Sequence, residues 1–279
     1  MTVAMFCFAM TDTLIKYNAG TISSPLVMFF LMCGGGIVFS AIALYERKLT
    51  FTKDAVSPVL IIRYLAEIAG VIGMVLALAN APLSTVGAII QSVPLIVTLG
   101  AMIFLGERVS WRRWSAILVG FLGVLLIIQP GAQGFSPAVL WAILAAFGLA
   151  VRDLTTRRTP EGMSSACLAA YTMYAAIPFA FVWMIYSGES FVVEGLGNWA
   201  LIISMSAFGT FGYLLLTASV RMAEISVVSP YRYTRLLFML LFGAALFNER
   251  PDVFVLIGAA LIVGSGIYVM WRERILATK

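Results

Sequence analysis

Ten long apolar runs follow one another along this chain, with only short polar segments between them. A transmembrane helix needs about 20 mostly apolar residues, because it must cross the hydrocarbon core and satisfy its backbone groups internally. The sequence therefore predicts an all-α membrane protein of ten transmembrane helices, with no room for a soluble domain. The predicted spans lie roughly at 2–18, 24–44, 57–79, 83–105, 111–129, 137–156, 163–187, 198–220, 225–247 and 252–271.

The amino-acid composition supports this prediction and indicates what kind of partner the chain binds. The chain is 62% hydrophobic and 11% charged, whereas soluble domains have about 45–50% apolar and about 25% charged residues. Its net charge of +5 comes from basic residues in short loops rather than from a basic face, so we expect a lipid bilayer and not nucleic acid as the partner.

The first run contains Asp12 and Lys16 and has no basic segment before it. We expect it to be a span, not a signal peptide, and to start a few residues earlier in the natural chain.

Basic residues concentrate in alternate loops, which gives the orientation. The loops around 80–82, 129–136 and 187–197 have no Lys or Arg. Arg250, after the ninth span, is the one exception to this alternation. By the positive-inside rule, both termini are expected in the cytoplasm. The basic residues of the other loops and the end of the chain are Arg47, Lys48, Lys53, Arg108, Arg112, Arg113, Arg157, Arg158, Arg221, Arg272, Arg274 and Lys279.

The two halves of the sequence resemble each other. Polar matches occur in the same order, with Asp12 and Lys16 matching Asp153 and Arg157, Ser84 matching Ser226, and Glu107-Arg108 matching Glu249-Arg250. Each half holds five spans, so the second half enters the membrane from the opposite side. We therefore predict two inverted five-helix repeats, residues 1–134 and 135–279, around a central cavity.

The motif at the end of the fourth span of each half carries a family resemblance. Leu105-Gly106-Glu107-Arg108 and Phe247-Asn248-Glu249-Arg250 each precede a Gly-containing fifth helix, and Ala81-Pro82 precedes the fourth span. With these motifs the chain resembles the drug/metabolite transporter superfamily, in its ten-helix branch of EamA-type exporters, and is most similar to bacterial aromatic amino-acid exporters. The resemblance implies an inner-membrane protein that exports small metabolites through a cavity lined by helices one, three, four, six, eight and nine. Asn248 departs from the pattern, where Gly is usual.

Charges inside the predicted spans are candidate site residues, because each costs about 2.5–3.5 kcal/mol at the bilayer centre. Asp12 and Lys16 lie one helical turn apart and can pair, and their counterparts in the second half favour a structural role. The functional alternative makes Asp12 a site for a proton or for a substrate ammonium group. Arg63 and Glu67 are also one turn apart, and either form an internal ion pair or line the cavity.

Arg232 and Arg235 share one face of the ninth span and cannot neutralise each other. Glu67 and Glu224 are possible partners within the protein. A substrate carboxylate is the other, because a guanidinium binds it through two parallel hydrogen bonds. Arg232 lies nearer the cytoplasmic end, so snorkelling to the membrane surface is its alternative.

Aromatic and polar groups on the same spans complete the predicted site. Aromatic rings stack on aromatic ligands, and we expect Trp141, Tyr213, Tyr231 and Tyr233 among the cavity residues. Gln91 and Ser92 interrupt the fourth span just before Pro94, which removes a backbone donor and kinks a helix. We assign Gln91 and Ser92 to the cavity and Pro94 to gating, with an ordinary proline kink as the alternative.

These features favour a secondary transporter that exports aromatic or hydrophobic amino acids by alternating access. A second substrate class is cationic or lipophilic drugs, and a channel or an intramembrane enzyme are the other classes of function. The chain has no His and no HExxH, GxSxG or GxxxxGK[ST] sequence, so we expect no enzyme activity, cofactor or metal. We expect a monomer or a homodimer.

Overall fold

The computed structural model describes residues 1–47, 53–105, 111–129, 136–156, 158–159, 163–189, 191–222 and 229–277. Over these ranges the chain is helical, with two short 3₁₀ turns (Lys53–Val56 and Ser229–Tyr233) and no strand. The α-helices are α1 (Thr2–Tyr17), α2 (Ser24–Tyr45), α3 (Pro58–Asn80), α4 (Leu83–Ile90), α5 (Val93–Leu105), α6 (Trp111–Ile128), α7 (Val139–Thr156), α8 (Ser165–Tyr186), α9 (Leu196–Met222), α10 (Thr234–Phe247) and α11 (Val253–Ala277).

Helices α4 and α5 are two parts of one apolar segment, so the described ranges form ten helical segments. Seven of these segments are long and apolar enough to cross a membrane, among them the stretch Leu83–Phe104 that combines α4 and α5. Helix α6 contributes a shorter apolar stretch, Trp114–Ile128. The predicted fold class is therefore confirmed. The predicted boundary between residues 134 and 135 lies outside the described residues.

The segment divides after Ile90 for a local reason. Pro94 has no backbone N–H, so the carbonyl of Ile90 loses its normal helical donor. The N–H of Ser92 bonds instead to the carbonyl of Ile89 (2.9 Å), and the Ser92 hydroxyl donates to the same oxygen (2.6 Å). These tighter bonds end α4, and α5 starts again at Val93.

Helices of the two halves pack on each other in pairs. The most extensive contacts in the described chain join α3 to α7, α6 to α11, α2 to α8 and α1 to α9, and each pair takes one helix from each half. The α3–α7 contact is backbone against backbone. A Cβ added at Gly148 would lie 2.5 Å from the amide nitrogen of Gly70, and one added at Gly73 would lie 2.7 Å from that of Ala145. Small residues allow this approach where lipid provides no hydrophobic drive between helices.

Large apolar side chains cover the outside of this bundle. Ile62, Leu118, Val182 and Leu241 are between 50% and 63% exposed. In water such a surface would be an association site, whereas in a bilayer it is the surface that contacts lipid. Polar chemistry is left to the interior and to the ends of the helices.

Candidate functional site

A partly open cavity of about 250 Å³ lies between the two halves. We call the two ends of the bundle the Glu249 end, where α1, α3 and α10 finish and α4 begins, and the Arg232 end, where α10 begins and α7 and α9 finish. The cavity extends from the middle of the bundle toward the Arg232 end. Its charged and amide lining residues are Asp12, Glu67, Gln91, Arg152, Asp153, Arg232 and Arg235.

At the Glu249 end, a carboxylate caps a helix. The N–H groups of Leu83 and Ser84 donate to Glu249 at 2.6 and 3.0 Å, and the Ser84 hydroxyl donates at 2.8 Å. These are the otherwise unpaired donors of the first turn of α4, where a negative charge is also favoured by the helix dipole. Lys16 joins the cluster, with its Nζ 3.5 Å from Glu249 and 2.7 Å from the carbonyl of Ala81. The cluster therefore joins the ends of α1 and α10 to the start of α4.

The turn that delivers Glu249 explains the residue before it. Asn248 ends α10 in the left-handed conformation, with φ of 51° and ψ of 28°. Gly adopts this conformation without strain, and Asn is the residue that most often replaces it. The N–H of Glu249 then bonds back to the carbonyl of Gly243 (3.0 Å). The departure of Asn248 from the family pattern thus preserves the backbone geometry.

Asp12 and Arg235 form a bidentate ion pair across the cavity wall. The Nε of Arg235 donates to the Asp12 carboxylate at 2.9 Å and its Nη2 donates at 2.6 and 2.8 Å, while the guanidinium lies over the ring of Phe8. The predicted pairing of Asp12 with Lys16 is wrong, because Lys16 lies near the end of α1 and reaches Glu249 instead. Arg157, the counterpart of Lys16, lies outside the described residues.

A second charged cluster joins α3 to α7. Arg152 donates to Asp153 at 2.7 and 2.9 Å and to Glu67 at the longer distances of 3.3 and 3.4 Å. Arg63 donates to the hydroxyls of Thr156, at 2.9 Å, and Thr172. Arg63 and Glu67 were the pair predicted either to bond to each other or to line the cavity. Glu67 lines the cavity, whereas Arg63 is buried behind the cavity wall.

Arg152 was not among the predicted site residues, although it lines the cavity. A signal for it is present in the sequence, since it is a charge within a predicted span, which marks a functional position by default. Several apolar cavity residues also escape sequence reasoning, because methionine and phenylalanine on a membrane helix do not reveal which side they face. They include Phe8, Met32, Phe39, Met74 and Met173.

The remaining predicted site residues separate into two groups. Gln91, Pro94, Tyr213, Arg232 and Arg235 line the cavity with Asp12 and Glu67. The others lie elsewhere: Tyr231 and Trp141 are 51% and 40% exposed, Tyr233 is buried with its hydroxyl against Gly266, and Ser92 donates to the carbonyl of Ile89. Three of the four predicted aromatic residues thus lie away from the cavity, because spacing along one helix does not show which face meets it.

A bundle of paired helices around a charged cavity is the architecture of membrane transporters built from repeated helical units. The chain belongs to the EamA-like transporter family, which matches residues 1–129 and 136–271. It is thus a multi-pass membrane protein of a transporter family, as the resemblance in the sequence implied.

Curated relatives of the chain carry different substrates. It is 29% identical over 265 residues to the S-adenosylmethionine uptake transporter of Rickettsia bellii, covering 94% of this chain and 89% of the relative. It is 29% identical over 216 residues to the riboflavin transporter of Brucella anthropi, covering 76% of each. It is 25% identical over 268 residues to the pseudopaline exporter of Pseudomonas aeruginosa, covering 94% and 91%.

A solved crystal structure shares the fold. It superposes with a TM-score of 0.60 over 98% of this chain and 97% of that chain, at 18% sequence identity. At this identity the likeness concerns the arrangement of helices alone.

Proposed function

We propose that this protein is a secondary transporter that moves small amphipathic metabolites with an amino-acid group across a bacterial inner membrane. The observation that carries the proposal is the lining of the cavity, which comes from both halves and has two parts, a set of charged side chains and a set of apolar ones. A charged head and an apolar or aromatic side group match those two parts. The transporter names of the relatives support a carrier rather than an enzyme.

Aromatic and hydrophobic amino acids are the simplest molecules of this kind, and they remain the proposed substrates. S-adenosylmethionine, named for one relative, is a larger molecule with the same amino-acid head. A simple cationic drug is disfavoured because the lining has three guanidiniums, and each of its three carboxylates already contacts an arginine. Export is the proposed direction, and the flux assay is run in both directions because the relatives include uptake transporters as well as an exporter.

The helix contacts indicate which bodies would move. Helices α4 and α5 pack on α7, which packs on α3, whereas α10 and α9 pack on α1. The first group is α3, α4, α5 and α7, and the second is α9, α10 and α1. The repeat relates the members of one group to those of the other, and each group contains helices from both halves. We propose that they rock about the cavity, so that the Glu249 end opens as the Arg232 end closes. With both termini in the cytoplasm, the described state faces the cytoplasm.

Flux into proteoliposomes tests the proposal. Purified protein would be assayed with radiolabelled phenylalanine, tryptophan, S-adenosylmethionine and riboflavin, with and without a pH gradient, in both directions. Saturable flux with counterflow of an amino acid is the expected result. Single-channel currents would support a channel instead, and absence of flux for every compound would refute the proposed substrates.

A further inference from the structure

The charges that line the cavity are unevenly paired. Among the described residues, the cavity lining contains three guanidiniums (Arg152, Arg232 and Arg235) and three carboxylates (Asp12, Glu67 and Asp153). Arg235 is held by Asp12 through three contacts of 2.6 to 2.9 Å, and Arg152 is held by Asp153 at 2.7 and 2.9 Å. Two of the guanidiniums are therefore committed to carboxylates of the protein.

Glu67 does not compensate the third guanidinium. It contacts Arg152 at 3.3 Å, and the buried Arg63 lies one helical turn before it on α3. Two cations of the protein thus already surround this carboxylate. When Arg63 is counted with the lining groups, four guanidiniums face three carboxylates, and one positive charge is left over.

That remaining charge is on Arg232. It lies in the 3₁₀ turn Ser229–Tyr233 and lines the cavity. Within the ranges that the structure describes, no carboxylate lies within ion-pair distance of its guanidinium. Asp153 acts on it only through a longer electrostatic interaction and is already bonded to Arg152. Glu224, the other partner considered from the sequence, is outside those ranges.

We infer that Arg232 is the anion-binding residue of the cavity and binds the carboxylate of the transported molecule. This inference rests on the proposed function and sharpens it, because the proposal alone does not say which cavity group recognises the head of the substrate. A planar guanidinium that has no carboxylate partner among the described residues offers two parallel N–H donors, which is the geometry that a carboxylate accepts. Arg235 presents the same group but has already given those donors to Asp12. The specificity of the site is thus assigned to Arg232, and Arg235 is a positioning residue.

The first test compares an acid with its amide. Flux of phenylalanine and of phenylalanine amide would be measured for the wild type, Arg232→Gln and Arg232→Lys. We expect Arg232→Gln to reduce the preference for the acid by about tenfold or more, the effect of losing a charge-assisted hydrogen bond. Arg232→Lys keeps the charge and loses the bidentate geometry, so it should retain part of the preference. An unchanged preference in Arg232→Gln would overturn the inference while leaving the proposed function intact.

The second test does not depend on transport. In a chain with Cys7, Cys33 and Cys167 replaced by Ala, Leu216→Cys would place a single thiol in the cavity lining. The ratio of its reaction rates with an anionic and a cationic methanethiosulfonate reagent reports the local charge. Arg232→Gln should lower this ratio by about fivefold, which corresponds to about 1 kcal/mol.

The matched control for the second test is the double variant Asp12→Asn with Arg235→Gln. It removes one charge of each sign, so the ratio should stay near that of the parent. If Arg232→Gln leaves the ratio unchanged, Arg232 reaches the membrane surface and not the cavity, and the inference is refuted. If the wild type moves no amino acid, the proposed function fails, and this ratio alone decides whether the cavity has an anion site.

Discussion

Asp12 and Arg235 are 223 residues apart in the chain and form a bidentate ion pair that ties α1 to α10. Both side chains are largely buried, with 4% and 16% of their surfaces exposed. Because each helix comes from a different half, the pair fixes the register between the two repeats. Its contacts of 2.6 to 2.9 Å are shorter than the 3.3 and 3.4 Å contacts between Arg152 and Glu67, which also join the two halves.

Removing one partner of this pair should cost more than removing both. Arg235→Gln leaves the Asp12 carboxylate buried without its cation, which we expect to destabilise the protein by roughly 3–5 kcal/mol. The double variant Asp12→Asn with Arg235→Gln should recover much of that loss. Thermal unfolding in detergent measures the difference, and equal losses for the single and the double variant would argue against a structural pair.

The Glu249 cap should control opening at its end of the bundle. Glu249→Gln removes the charge that Leu83, Ser84 and Lys16 share, and a lost cap is worth about 1 kcal/mol. We therefore expect about fivefold faster labelling of a cysteine at Ile15 from the Glu249 side. Ser84→Ala is the matched control, because it removes one of the three hydrogen bonds and should have a smaller effect.

Close packing of α3 on α7 makes Gly148 intolerant of any side chain. Gly148→Ala places a methyl group against the backbone of Gly70 and Ala66, and overpacking of this kind costs about 1–3 kcal/mol. Gly264→Ala on α11 is the control, because an added Cβ there meets nothing within 4 Å, and Ala favours the helix by up to about 1 kcal/mol. Expression level and melting temperature should fall for the first variant only.

The break after Ile90 should matter for turnover more than for binding. Pro94→Ala restores a backbone donor to the carbonyl of Ile90, so α4 and α5 can join into one straight helix. We expect a lower rate of counterflow, with substrate affinity less affected. Pro25→Ala tests the general effect of losing a proline, because Pro25 occupies the first turn of α2, where no helical bond is displaced. A similar loss in both variants would rule out a specific role for the break.

The sequence predicts the ten segments and the family because both are local signals. Apolar length identifies each span, and the repeated Glu-Arg motif identifies the ends of two of them. Pairing across helices is not local. Helical spacing correctly puts Asp12 and Lys16 on one face of α1. It cannot show that Asp12 meets Arg235, at the start of α10, whereas Lys16 meets Glu249, just after the end of α10. The same limit explains why Arg152 was missed and why Trp141, which lies on the exposed side of α7, was included.

Four methionines, Met5, Met32, Met74 and Met173, form much of the apolar lining of the cavity. Methionine is unbranched and polarisable, so its side chain can change conformation to fit groups of different shape at little cost. A lining of this kind accepts new side groups without being rebuilt, whereas the carboxylate site proposed at Arg232 requires a fixed head group. Relatives can therefore differ in substrate through a few substitutions among the apolar lining residues, without a change in the arrangement of the helices.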